Sequence, residues 1–164
     1  MRRRVRESPV RGVSRPGQYH AAGRPLLLDT HVWIWWMEDD LARATVGTAD
    51  LLARAELEGD LLVSDVSYWE VAVKAARGKM RLTMDAMSWL ERAAGAPGFR
   101  SCPLSRDVLL HSTRLVGKPH NDPADRMLIA TAQLHGVPLV TADKGIIGYA
   151  ERFSGLHVID VSRR

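Results

Sequence analysis

The sequence predicts one α/β domain over residues 25–164, a three-layer α/β/α sandwich around a mostly parallel sheet. Short apolar runs alternate with longer stretches of helical periodicity, which is the pattern of βαβ units. The runs at 26–28, 61–63 and 138–140 are apolar throughout, as expected of strands covered on both faces. A length of 164 residues suits a single hydrophobic core.

The elements follow in order. A strand is expected at 26–28, Leu-Leu-Leu, with a Trp-rich helix after it over about 31–37. A helix over 45–58 leads to a strand at 61–63, and a helix over 66–77 ends before Gly78, a residue suited to the left-handed conformation after a helix. A helix over 84–95 precedes a strand over 100–104 and a helix over 105–115. Pro123, behind Asp122, opens a helix over 123–135, because the first helical turn does not need the N–H that proline lacks. Gly136 closes that helix, and strands at 138–140 and 157–161 complete the set. Residues 1–24 hold two prolines, three glycines and scattered arginines without apolar periodicity, and are expected to be a disordered basic N-terminal extension.

The chain's net charge of +4 is a property of that extension. Residues 1–24 carry seven arginines against Glu7, leaving 16 bases against 18 acids in the remainder. The high pI therefore gives no argument for a basic nucleic-acid-binding face on the domain. Cys102 is the single cysteine, which excludes a disulfide framework and a cysteine-based zinc site. No apolar run reaches the roughly 18 residues of a membrane span, and the basic N-terminus lacks the apolar stretch of a secretory signal. A cytoplasmic location away from membranes is the expectation.

Four acids occupy equivalent places in this scheme. Asp29 ends the first strand, and Asp143 follows the strand at 138–140. Glu70 is placed in the first turn of the helix after Ser64-Asp65, and Asp125 in the first turn of the helix opened by Asp122-Pro123. A parallel sheet gathers its strand C-termini at one edge, where open α/β folds place their sites. Each acid also has a structural reading as a helix cap: Ser67-x-x-Glu70 has capping-box spacing, Asp122-x-x-Asp125 is similar, and acids suit helix N-termini. Capping alone does not require so many acids at one edge without nearby cations. Gathered carboxylates repel and raise one another's pKa, and a divalent cation relieves that cost. Oxygen ligands without a His/Cys cluster suit Mg²⁺ or Mn²⁺ rather than zinc. Such a site points to phosphoryl chemistry by a metal-activated water. No serine, threonine or cysteine has an evident histidine base to make it a nucleophile.

These segments resemble the PIN-domain family and, within it, the VapC-type toxins of type II toxin–antitoxin systems. The resemblance is carried by Leu28-Asp29-Thr30-His31-Val32, by Ser64-Asp65-Val66-Ser67-Tyr68-Trp69-Glu70-Val71-Ala72-Val73-Lys74 with Gly78-Lys79, by His120-Asn121-Asp122-Pro123-Ala124-Asp125-Arg126-Met127-Leu128-Ile129-Ala130, and by Leu139-Val140-Thr141-Ala142-Asp143. Order and spacing agree over about residues 26–160. The resemblance implies that Asp29, Glu70, Asp125 and Asp143 are the catalytic metal-site acids of a PIN-like nuclease domain over 25–164. Asp122 is a fifth candidate, either beside the ligands or only the helix cap. Thr30 and Thr141 would orient ligands or waters. It further implies endoribonuclease activity on RNA, homodimerisation and a co-expressed, VapB-like antitoxin. The alternative is a PIN-like fold kept as a non-catalytic protein- or RNA-binding module. Phosphatase or receiver chemistry would require a second acid beside Asp29, where Thr30 and His31 stand.

Other features have plainer readings. Trp33, Trp35, Trp36 and Trp69 can stack bases, but such aromatics more often fill a core or a dimer interface. Lys74, Arg77, Lys79 and Arg81 make a basic stretch that suits phosphate or antitoxin contact and equally a solvated helix end. His31, His111, His120, His135 and His157 are scattered and are assigned no catalytic role.

Overall fold

The structure is a computed structural model that describes residues 12–16, 23–117 and 121–163. Its strands are β1 (Gly12–Ser14), β2 (Leu26–Leu28), β3 (Leu61–Ser64), β4 (Phe99–Cys102), β5 (Leu139–Thr141) and β6 (His157–Asp160). They form one sheet in the order β1-β6-β5-β2-β3-β4, with every pairing parallel. The helices are α1 (Thr30–Met37), α2 (Thr48–Leu57), α3 (Asp65–Ala76), α4 (Ala86–Ala94), α5 (Arg106–Ser112), α6 (Pro123–His135) and α7 (Lys144–Arg152).

Successive strand residues face opposite sides of the sheet, and the core divides accordingly. Leu26, Leu28, Leu61, Val63, Val140 and Ile159 join Val32 and Trp33 of α1, Leu52 of α2 and Trp89 of α4 in one apolar cluster. Leu27, Leu139 and Val158 join Leu128 and Ile129 of α6 and Ile146 and Tyr149 of α7 in the other. The three-layer expectation holds because the inner strands are apolar on both faces.

Several local expectations are corrected. The helix expected over 45–58 starts later, as α2 at Thr48, whose N-cap Gly47 sits at φ +88°, and a 3-10 turn at Leu41–Arg43 precedes it. The strand expected over 100–104 ends at Cys102, because Pro103 has no N–H to extend the ladder. Helix α7 has no counterpart among the sequence expectations. Gly145 and Gly148 lower its propensity, yet Asp143 caps it through Ile146 N–H at 2.9 Å and Ile146, Tyr149 and Ala150 are buried.

The largest correction concerns the N-terminal extension. Gly12–Ser14 is a strand, paired to β6 with Gly12 opposite His157 and Ser14 opposite Ile159. Strand addition at a sheet edge relies on backbone hydrogen bonds, so apolar periodicity was not required for it. Arg15 anchors the segment by an ion pair to Asp160 at 3.2 Å and a hydrogen bond to the Ser162 carbonyl at 2.9 Å. Residues 1–11 and 17–22, the rest of the expected disordered span, lie outside the described residues.

The β1–β6 edge has a pH dependence of definite sign. His157 is buried, and its Nε2 lies 3.0 Å from Ser14 Oγ. Burial, reinforced by the Arg24 charge, holds this imidazole below the usual histidine range. An unfolded histidine titrates near pH ~6.5, so on acidification the unfolded chain takes up the proton first. The contribution of the neutral ring is complete above that pH and is lost as pH falls through the folded-state value. The melting temperature is expected to decline below pH ~6.5, and less steeply in His157→Gln. Identical pH profiles for the two proteins would contradict this account.

Candidate metal centre

The chain runs β2, β3, β4 across one half of the sheet, then crosses back to β5 and β6 on the other side of β2. The reversal lies between β2 and β5, and the crevice at such a reversal is where open α/β sheets bind ligands. Asp29 leaves β2 there, with its N–H bonded to the Val140 carbonyl of β5 at 3.0 Å. A cleft of about 230 Å³ at this point is lined by Asp29, Thr30, Glu70, Asp122, Asp125 and Asp143, with His31, Ile34, Lys74 and Met80 around them. All five candidate acids therefore face one space.

The acids differ in whether capping explains them. Asp122 accepts from Ala124 N–H at 2.8 Å, and Asp143 caps α7, so the cap reading is correct for both. Asp125 lies in the first turn of α6. Asp29 holds the N-cap position of α1 but makes no side-chain cap bond. The residue is 2 % exposed, and its carboxylate takes the Thr141 hydroxyl on Oδ2 at 2.5 Å, with His31 Nδ1 3.3 Å from Oδ1.

Glu70 is corrected in position. The N-cap of α3 is Ser64, which accepts from Val66 N–H. Glu70 therefore sits in the second turn, and no capping box forms at Ser67. Ser67 is buried inside the helix, with its Oγ 2.9 Å from the Thr30 hydroxyl. Glu70 Oε2 takes the same hydroxyl at 2.5 Å, and its Oε1 pairs with the Lys74 ammonium one turn on. The expectation that these acids lack cations was wrong at this point: Lys74 at i+4 is on the same helix face.

Charge in the cleft is offset only in part, at Asp29 and Glu70. Burial pushes the Asp29 carboxyl up, but His31, with bonds from Thr141 and the Thr30 backbone, outweighs it and holds the group below the usual aspartate range. Burial likewise opposes charge on His31 and Lys74. Asp29, with Asp143 and Asp125, lifts His31 above its usual range, and Glu70, with Asp122 and Asp125, lifts Lys74. Those charges favour a protonated His31. The Ala142 N–H, however, donates to His31 Nε2 at 3.2 Å and holds that nitrogen bare. We take the ring as neutral, because a protonated Nε2 would set two donors against each other.

Two other acids near strand ends show what a satisfied carboxylate looks like in this fold. Asp160 is paired with Arg15, and Asp65 takes the Ser101 hydroxyl at 2.7 Å and Leu104 N–H at 3.3 Å. Neither lines the cleft.

The donor set fits a hard cation. It consists of carboxylate oxygens, with His31 Nε2 engaged by backbone and Cys102 not among the lining residues. Among the described residues, no three His, Cys, Asp or Glu side chains stand close enough together to hold an ion as placed.

Fold and cleft together define an α/β domain with a carboxylate-lined site at its strand reversal, and comparison with known proteins agrees. The model of the PIN domain matches residues 26–152, and the chain belongs to the PIN-domain family. Within it the chain is of the VapC type: it is 31% identical over 119 residues to Ribonuclease VapC22 of Mycobacterium tuberculosis, covering 73% of this chain and 87% of that protein. In fold it is similar to a crystal structure of VapBC2 from Rickettsia felis bound to a promoter DNA fragment (TM-score 0.58, 13% identity, 84% of this chain and 98% of that one). A structure of FitAcB from Neisseria gonorrhoeae is also similar (TM-score 0.54, 22% identity, 82% and 96%).

Sequence reasoning missed His31 and Lys74 as members of the cleft. The signal for Lys74 was its spacing from Glu70. His31 carried none, because its partner Ala142 is 111 residues away.

Proposed function

We propose that this chain is a Mg²⁺- or Mn²⁺-dependent endoribonuclease, the toxin of a VapC-type toxin–antitoxin pair, acting in the cytoplasm with RNA as substrate and a VapB-like antitoxin as its inhibitor. The observation that carries the reading is that Asp29 and Glu70 are buried acids that cap nothing, in a cleft shared with Asp122, Asp125 and Asp143. The likeness to Ribonuclease VapC22 supports the choice of RNA, and the VapBC and FitAcB neighbours support a protein inhibitor. Exposed Trp69, Leu109 and Leu110 offer apolar surface for a homodimer.

Asp29, Glu70, Asp125 and Asp143 would hold the ion, with Asp122 capping α6 beside them. Bound there, a divalent cation would supply a lowered pKa for a water and charge neutralisation at the phosphate. The chain's own residues do the rest. Thr141 and His31 orient Asp29, and Thr30 orients Glu70. Lys74, half-exposed at the cleft, can leave Glu70 to meet a phosphate oxygen. Burial of Asp29 and Glu70 limits competing water.

One observation favours the alternative of a non-catalytic binding module: among the described residues, no three acids stand close enough together to hold an ion. Thermal melts with and without Mn²⁺, paired with cleavage of an RNA panel, separate the readings. Mn²⁺ is expected to raise the melting temperature, because ligand bound only by the folded state stabilises it, and to support cleavage that chelator stops. A melting curve and an RNA panel both unchanged by Mg²⁺ and Mn²⁺ would favour the binding module.

A further inference from the structure

His31 stands in the first turn of α1, and both ring nitrogens are engaged. The Ala142 N–H donates to Nε2 at 3.2 Å, which leaves the proton of the neutral ring on Nδ1. Nδ1 lies 3.3 Å from Asp29 Oδ1, while Oδ2 of the same carboxylate takes the Thr141 hydroxyl at 2.5 Å. Asp29 is thus held from two sides, by its own helix and by β5. Trp35 meets the imidazole edge-on with ring centroids 4.9 Å apart, which restricts the plane of the ring.

We propose that His31 is a positioning residue of the metal centre: its imidazole, with Nδ1 toward Asp29 and Nε2 on the Ala142 N–H, ties the end of β2 to the end of β5 and so sets how Asp29 and Asp143 face each other. Ala142 immediately precedes Asp143. A ring that holds the Ala142 N–H and Asp29 Oδ1 at once therefore bridges the two strand ends that carry these acids. Thr141 grips Asp29 as well, but it reaches from the β5 side alone, and its oxygen also takes the Asp143 N–H at 3.0 Å. His31 closes the arrangement from the α1 side. Because Nε2 serves the backbone, the ring adds no nitrogen ligand, and the donor set stays hard. Hydrogen bonds that orient a ligating carboxylate are worth about 10–100-fold in metal affinity.

This inference rests on the reading of the cleft as a divalent-cation site, and the test separates the two. Mn²⁺ affinity is measured by electron paramagnetic resonance for wild type, His31→Asn, His31→Gln and His31→Ala. The melting temperature of each is taken in chelator, and ¹⁵N spectra of the metal-free wild type report the tautomer. Asparagine places an amide N–H where Nδ1 was. Glutamine reaches toward Ala142 and offers Asp29 no donor at that place. The expected results are an Nδ1–H tautomer, Mn²⁺ binding about tenfold or more weaker in the Ala and Gln variants, and recovery of most affinity in His31→Asn. Melting temperatures in chelator are expected not to follow that order. Equal Mn²⁺ affinity in all four proteins, or an Nε2–H tautomer, would overturn the role of His31 and leave the cation site standing. Binding lost equally in the Asn, Gln and Ala variants would make His31 a ligand instead and overturn the positioning role. No Mn²⁺ binding by wild type would overturn the cation site and, with it, the role of His31.

Discussion

Asp29→Asn and Glu70→Gln are each expected to lower RNA cleavage by orders of magnitude while leaving the fold intact. Each substitution keeps the size of the side chain and an acceptor oxygen. In Asp29→Asn the amide oxygen would still accept from Thr141 or from His31, at a cost of about 1 kcal/mol for the bond it can no longer make. Loss of one charge from a cleft of five acids offsets part of that cost. The negative charge that a hard cation requires is removed entirely. Asp125→Asn tests the same point on α6, where capping is supplied by Asp122 and so stays in place. Combining two of these substitutions is expected to cost little further activity, because members of one catalytic unit are not additive. In cells the wild-type chain is expected to arrest growth and the variants are not. Near-normal cleavage by purified Asp29→Asn and Asp125→Asn, free of other nucleases, would overturn the proposed mechanism.

Trp33→Ala is expected to cost about 3–5 kcal/mol of stability, the range for deleting a buried large aromatic. Trp33 is fully buried on α1, with its ring centroid 4.8 Å from Tyr68 of α3 and 5.0 Å from Trp89 of α4. It therefore holds together the helices that carry Thr30 and Glu70, and that loss is a large share of the ~5–15 kcal/mol stability of a domain. Trp33→Phe behaves differently. The indole N–H is buried and has no hydrogen-bond partner among the described residues. Phenylalanine removes that unmatched donor while giving up part of the packing, so a change within about 1 kcal/mol is expected. Denaturant titrations of both variants check the pair, and equal losses would show that packing alone sets the cost.

How much of the site was legible differs residue by residue. Asp29, Asp125 and Asp143 were placed correctly because strand ends and helix starts are local features, marked by a change of period or by Pro123. Glu70 was assigned one turn too early, since Ser67 offered the spacing of a cap and only the structure shows Ser64 in that role. The tryptophans were partly decided by the tertiary fold: Trp33 joins the core, while Trp69 on α3 is 58 % exposed. Nothing in their local sequence separates the two.

By itself, the sequence determined the layers of this protein and the edge of the sheet where the acids gather. Those properties follow from the periodicity of apolar residues and from the parallel direction that βαβ connections impose, both of which act over a few residues or one unit. Tertiary structure decided what spans the chain. It placed β1 beside β6 and matched Arg15 to Asp160, across 145 residues. It put β5 next to β2, so that Thr141 and Ala142 meet Asp29 and His31. It also divided the acids into those that cap a helix and those that cap nothing. Long-range partners leave no periodic trace, because a hydrogen bond between strand ends depends on sheet order, and sheet order is set only when the whole core packs.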